Sequence, residues 1–502
     1  MDNREKWNRL GKLMEEMENL QHIRAVLSFD SETICPLGGQ EEDSRDIVYL
    51  SDKIFAILKS EEFQSLVKEL YESNDGDEYS RRLVTLLYRD MKKNEKVTLE
   101  LQSQWNKAQQ DAFHLWAEAR EKKDYSLFAP ALERICSLSR TLVSLREDYD
   151  KEHPYQSLID DYEPGFTEQE LDEFFSALQE EIVPLLKKIR NSTYRPREDF
   201  LSRPIPLFKQ EEFSHALLKL NGFDFRRGAL TTTIHPFTSQ IGKDDVRVTT
   251  HYDETSFASN LYTIVHEGGH ALFGQNIPAE VFTSHLGEGS LTMAKHESVS
   301  RFYENLIGRS RDYIHLIYPL FRKIFAVEMS DVTEEELYEA VNAVHLDNPI
   351  RMEADELTYS PHILIRYLLE KELMSGKSDL SSLSKKWNEL YFEILGVTVK
   401  DDLEGILQDV HWTSGFGYFP TYAMGNALGA MYFYKMQKDI GSDELIRQGK
   451  MVDILDWIRQ NVFARASLMD TKEWIEQITG EKFSPRRYLD YLKEKFSRLY
   501  RL

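Results

Sequence analysis

Apolar residues recur every three or four positions through much of this chain. Trp7, Leu10, Met14, Met17, Leu20, Ile23 and Leu27 form one such stripe, and Leu132, Ile135, Cys136, Leu142 and Leu145 another. That spacing puts each set on one face of an amphipathic helix. Residues 77–129 contain neither glycine nor proline, so nothing there interrupts a helix. Thr167 followed by Glu170, and Thr333 followed by Glu336, each predict a capping box that opens a helix. The pattern breaks at residues 191–206, where Pro196, Pro204 and Pro206 form a composition that ends helices. Beyond the break, Val246-Arg247-Val248-Thr249-Thr250 alternates and is β-branched, which predicts a strand. Thr231-Thr232-Thr233-Ile234 is a weaker partner for it. These patterns predict a mainly α protein with a small β-sheet. Residues 1–502 read as a single domain, with an N-terminal helical region at 1–195 and a second region at 196–502.

Composition narrows the function. Gly (24) and Pro (15) are scarce for 502 residues, which favours long helices. Lys+Arg is 62 and Asp+Glu is 85, a formal net charge of −23. Such an acidic chain is a poor partner for nucleic acid or an anionic membrane. Two cysteines, Cys35 and Cys136, are too few for a disulfide scaffold or a cysteine–zinc site, and read as reduced packing residues. The start, Met1-Asp2-Asn3-Arg4-Glu5, lacks the basic-then-apolar pattern of a secretory signal. No run of 18 apolar residues occurs, so no membrane span is expected. The expectation is a cytoplasmic protein.

The most informative segment is His266-Glu267-Gly268-Gly269-His270. On a helix, residues i and i+4 lie one above the other, so the two imidazoles can grip one zinc ion. Glu267 stands beside the first of them, where its carboxylate can hold the attacking water. Two adjacent glycines inside a helix cost roughly 1 kcal/mol each relative to alanine. That cost is expected where something approaches the backbone closely, such as a substrate chain. Catalytic zinc keeps three protein ligands and one open position. A third ligand lies within reach in Ala294-Lys295-His296-Glu297-Ser298-Val299-Ser300-Arg301-Phe302-Tyr303-Glu304, which reads as a second helix. Glu297 completes a two-His, one-Glu set, with His296 and Glu304 as rivals.

With these residues in view, the chain resembles the carboxypeptidase Taq family of metallocarboxypeptidases. Six stretches match that family's motifs in order. They are His235-Pro236-Phe237, Asp245-Val246-Arg247-Val248-Thr249, the zinc pentapeptide, His296-Glu297-Ser298, Ile350-Arg351-Met352-Glu353-Ala354-Asp355-Glu356, and Gly405-Ile406-Leu407-Gln408-Asp409-Val410-His411-Trp412. The likeness runs over essentially the whole chain, including Phe416-Gly417-Tyr418-Phe419-Pro420-Thr421-Tyr422. It implies a nearly all-helical peptidase with a deep substrate groove and zinc at its floor. It also implies removal of single C-terminal residues from peptides, broad side-chain tolerance with poor action on proline, a homodimer, and cobalt as a possible replacement for zinc. The family pattern makes Glu297 the third ligand. One departure is Val299, where the family usually has Gln; this bears on any hydrogen bond from that position and touches no ligand. The segment of residues 411–416 is also slightly shortened, which bears on the loop carrying the tyrosines.

Four tasks then need residues. Zinc lowers the pKa of water and polarises the scissile carbonyl. Glu267 takes the proton and passes it to the leaving amine. Tyr418, Tyr422 and His411 are the candidates to meet the oxyanion. The terminal carboxylate needs a cation: Arg351, which the resemblance favours as a gate at the closed end of the groove, or Arg247. Arg351 stands beside Glu353, Asp355 and Glu356, so a structural ion pair is its alternative role. Arg247 points away from the face of Val246 and Val248, and an edge strand there can pair with a peptide backbone. His235 is a candidate groove-lining residue. Gly425 and Gly429, four apart, read as a site of close helix packing. The competing functions are a helical metallo-oligopeptidase that cuts internally and a non-catalytic zinc-binding scaffold.

Overall fold

Both capping boxes form. The Thr167 hydroxyl accepts from the Glu170 backbone N–H at 3.1 Å, and the Glu170 carboxylate takes the Thr167 N–H at 2.8 Å. Thr333 and Glu336 repeat the exchange at 3.2 and 2.9 Å. Each box satisfies two backbone donors that a helix start leaves open, and they begin the helices Glu168–Asn191 and Glu334–Val341. The structure, a computed structural model, describes residues 1–377 and 379–502, the side chain of Glu288 excepted. It is 69% helical with one three-stranded sheet, the mainly α architecture that the apolar spacing predicts. Among the described residues no helix is long and apolar enough to cross a membrane.

The first apolar stripe forms the N-terminal helix Asn3–Thr33. Its stripe divides, however. Leu10, Leu13, Met14 and Met17 are buried, whereas Ile23 is 48% exposed. Met14, Met17, Glu18, Gln21 and His22 line a large cavity, so this helix roofs a groove as well as giving Leu10, Leu13, Met14 and Met17 to the core. The helix Glu168–Asn191 ends at the proline-rich break, and the chain continues through a 3₁₀ turn, Asp199–Ser202, into Leu207–Asn221. Buried apolar side chains from both sides of the break belong to one continuous core.

The sheet comprises β1 (Gly228–Thr232), β2 (Thr238–Gly242) and β3 (Asp245–Thr250) in the order β1-β3-β2. β1 runs parallel to β3, with Thr231 opposite Thr249, and β2 runs antiparallel to it. Val246 and Val248 are fully buried, as the alternation requires. The segment expected at an edge, β3, is therefore central. The edge facing the groove is β2, whose Thr-Ser-Gln-Ile-Gly sequence carries little strand signal. The sheet packs on the helix Phe257–Asn276, which contains His266-Glu267-Gly268-Gly269-His270.

Candidate metal centre and substrate groove

The helix Phe257–Asn276 is buried on nearly every side, with Leu261, Ile264, Val265, Leu272 and Phe273 in the core. One turn apart, the His266 and His270 rings lie with centroids 4.9 Å apart. Glu297 comes from the helix Met293–Arg301. Its Oε2 lies 3.8 Å from His266 Nε2 and 3.6 Å from His270 Nε2. These three ligand atoms fall within 4.8 Å of one another.

The two rival ligands stand behind the imidazoles. His266 Nδ1 is 2.8 Å from Glu304 Oε2, and His270 Nδ1 is 2.5 Å from His296 Nδ1. A partner on Nδ1 fixes each ring's orientation and leaves Nε2 for a cation. Arg301 then joins the two carboxylates, donating from Nε to Glu297 Oε1 at 2.7 Å and from Nη1 to Glu304 Oε2 at 2.9 Å. Its guanidinium lies over the Tyr359 ring at 3.9 Å. The chain passes from this helix into a π-helical segment, Phe302–Ile307, which carries Glu304. Burial alone would raise Glu297 and Glu304, but Arg301 and the imidazoles outweigh it and hold both well below the usual carboxylate range.

Glycines let the helix of His266 and His270 and the helix of Glu297 come this close. A Cβ at Gly269 would lie 2.7 Å from Ser300 Cα and 3.0 Å from the Val299 carbonyl oxygen. On the other side of the Glu297 helix, a Cβ at Gly425 would lie 2.8 Å from Glu297 Cγ. The expected substrate chain is therefore not what meets the glycine pair: Gly269 meets the helix of Glu297, and a Cβ at Gly268 would lie 2.8 Å from Leu218 Cδ2 on the helix Leu207–Asn221, while Gly425 and Gly429 meet the Glu297 helix from Pro420–Ile440. Val299 is fully buried in this contact.

The centre opens into a cavity of about 2020 Å³, roofed by the N-terminal helix and flanked by β2. Glu267 lines it, its carboxylate accepting from Thr238 Oγ1 at 2.7 Å while the same hydroxyl bonds the Glu267 carbonyl. Tyr418, Tyr422 and Arg351 line the same cavity. Tyr418 and Tyr422 stack edge to face at 5.0 Å, and the His411 ring lies 5.6 Å from Tyr418. Tyr422 Oη is 3.4 Å from His411 Nε2. Burial and the nearby arginines push His411 down to about 4, against the pull of Asp409, so its ring is neutral at neutral pH.

Arg351 is 3% exposed. Its ion pair is with Asp409, from Nε and Nη2 at 2.9 and 2.7 Å, and not with its sequence neighbours. Asp355 instead caps the helix Glu356–Ser375, and Glu356 pairs with Lys495 at 2.5 Å. Arg366 donates to the other oxygen of Asp409 at 2.7 Å. Two guanidiniums on one carboxylate leave a net positive charge at this end of the groove.

Two candidates lie elsewhere. Arg247 is held by Asp245 at 2.7 Å, sits over the Phe29 ring at 5.0 Å, and lines a separate cavity of about 530 Å³. His235 is exposed on the β1–β2 loop, although its neighbours Pro236 and Phe237 do line the groove. Arg301, Thr238, Asp409 and Arg366 were not singled out by sequence. Arg301 carries a readable signal, being four residues after Glu297 and three before Glu304 on one helix face. Arg366 carries a fainter one, a lone charge inside Ile363-Leu364-Ile365-Arg366-Tyr367-Leu368-Leu369.

Comparison with known proteins agrees over the full length. A family profile described as Carboxypeptidase Taq (M32) metallopeptidase matches residues 9–496. Carboxypeptidase 1 of Bacillus subtilis is 36% identical over 493 residues, 98% of each chain. Thermostable carboxypeptidase 1 of Thermus thermophilus is 35% identical over 512 residues, 98% of this chain and 99% of that one. The crystal structure of an M32 carboxypeptidase from Deinococcus radiodurans R1 superposes with a TM-score of 0.95 at 31% identity, covering 99% of this chain and 100% of that one.

Proposed function

The chain belongs to the carboxypeptidase Taq (M32) family of metallopeptidases, and from that premise we propose that it removes single residues from peptide C-termini at a zinc ion held by His266, His270 and Glu297. We expect broad tolerance of the terminal side chain, poor action on proline, and a homodimer as the assembly. The observation that carries this reading is the convergence of two imidazole Nε2 atoms and one ionised carboxylate oxygen at the groove floor. Two nitrogens and one oxygen, with both Nδ1 atoms engaged behind, suit zinc with an open position; cobalt is the expected substitute. Bound there, the ion would supply Lewis acidity to a water and to the scissile carbonyl.

The remaining work falls to side chains. Glu267, oriented by Thr238, accepts the proton of the attacking water and delivers it to the leaving amine. Tyr422 and Tyr418, kept protonated chiefly by burial, donate to the oxygen that gains charge. His411, neutral and within reach of Tyr422, orients it. Arg351, with the positive charge left by its shared Asp409, receives the terminal carboxylate.

The test is mass spectrometry of a peptide pool incubated with the zinc-loaded protein. One-residue ladders from free C-termini, abolished by chelation and absent for C-terminal amides, are expected. Cleavage of the amides at internal bonds would favour the oligopeptidase. No cleavage at all would leave the scaffold.

A further inference from the structure

Residues 411–418 set His411 at one end and Tyr418 at the other. Between them lie a single 3₁₀ turn, His411–Thr413, and two glycines at φ +131° and +92°, Gly415 and Gly417. Such a backbone has little intrinsic reason to keep two side chains at a fixed separation. One side chain joins both ends of it: Glu370, a fully buried residue in the helix Glu356–Ser375. Its Oε1 accepts from Trp412 Nε1 at 2.9 Å, and its Oε2 accepts from the Gly417 backbone N–H at 2.9 Å. Trp412 adjoins His411 and Gly417 adjoins Tyr418. One carboxylate thus grips the neighbour of each.

A third donor, Tyr155 from the helix Pro154–Tyr162, reaches Oε2 at 2.6 Å. The same helix presses on the loop: a Cβ at Gly417 would lie 2.5 Å from the Leu158 carbonyl oxygen. Arg366, one turn earlier than Glu370, directs its donors to Asp409, Tyr391, Gln408 and the His362 carbonyl. Glu370 is left holding three neutral donors. A buried carboxylate in such company is a costly way to fasten a loop, which is intelligible if the placement of that loop matters to the reaction.

We propose that Glu370 is a positioning residue, whose carboxylate sets His411 and Tyr418 at their working separation without touching substrate. This rests on the roles proposed above, Tyr418 as a donor to the oxygen that gains charge and His411 as the residue that orients Tyr422. Glu370→Gln keeps the side-chain shape but offers one acceptor oxygen, so the Gly417 or the Trp412 N–H loses its partner. The zinc-loaded variant is expected to keep its metal content and to bind peptide with KM within twofold. Its kcat, measured well below its Tm, should fall about tenfold. A merely structural role would lower Tm and leave that kcat unchanged.

If Glu370→Gln does not fold, Tyr155→Phe carries the test, since it removes one donor from the outer side and leaves both loop bonds in place. A kcat loss of about threefold at unchanged KM is expected. Tyr418→Phe and His411→Gln complete the set. If neither lowers kcat, the loop's role falls and this inference with it. If either lowers kcat while Glu370→Gln, or Tyr155→Phe in its stead, stays within twofold of the parent, the inference alone is overturned.

Discussion

The two walls of the groove are built on opposite electrostatic principles. On the wall of the His266–His270 helix, Glu297 and Glu304 are held ionised by Arg301 and the imidazoles, and the helices meet closely at Gly269 and Gly425. On the wall of residues 411–422, burial works against charge. His411 is pushed down to about 4 and Glu370 up to about 7, and aromatic rings fill the space. On the proposed function, the first wall holds a cation among fixed negative charges. The second presents hydrogen-bond donors that carry no charge of their own, with Arg351 and Arg366 behind them on Asp409. Hydrolysis of a peptide terminus needs both, a cation where water is activated and donors where negative charge develops.

The comparison breaks most sharply at Arg351. Arg351→Ala leaves Asp409 paired with Arg366, so the fold should survive. The expected result is a loss of about 100-fold in kcat/KM on peptides with free C-termini. Unchanged steady-state kinetics would remove Arg351 from substrate recognition. The next effect falls on the first wall. Gly269→Ala inserts a methyl against Ser300 and should cost about 2 kcal/mol in chemical unfolding, together with about tenfold weaker zinc in a competition titration. Wild-type values would mean that the two ligand helices are free to separate.

The smallest effect sharpens the contrast through pH. His411 has a folded value near 4 against an ordinary 6.5. Between those values the unfolded chain takes up a proton that the folded chain refuses, so stability falls as pH drops through that window. Glu370 has a folded value near 7 against an ordinary 4.5. There the folded chain keeps a proton that the unfolded chain releases, so stability falls as pH rises from 4.5 to 7. The two slopes oppose each other in the parent. Removing one with His411→Gln should raise stability at pH 5 relative to the parent by about 2 kcal/mol more than at pH 7. Parallel curves from denaturant titrations would show that His411 titrates normally.

How much was legible in the chain follows from distance along it. His266, Glu267 and His270 lie within one helical turn, so spacing alone groups them. Glu297 needed the family resemblance, because three candidates share its segment. The structure gives His296 and Glu304 a different place, behind the rings. The cost of Gly268-Gly269 is readable, but its cause is not, since Leu218 and Ser300 approach from two other helices. Arg247 lines a separate cavity while Val246 and Val248 are buried, but its strand is central and the groove lies beyond β2. Glu370 and Arg366 find their loop partners more than forty residues away, and no local pattern announces such pairs.

The most direct measurement of the central claim is X-ray absorption at the zinc edge of the zinc-loaded protein. A first shell of two imidazole nitrogens with carboxylate and water oxygen is predicted, changing to one imidazole in His270→Ala. A shell of three imidazoles, which would bring His296 to the metal, or one that His270→Ala leaves unaltered, would contradict it.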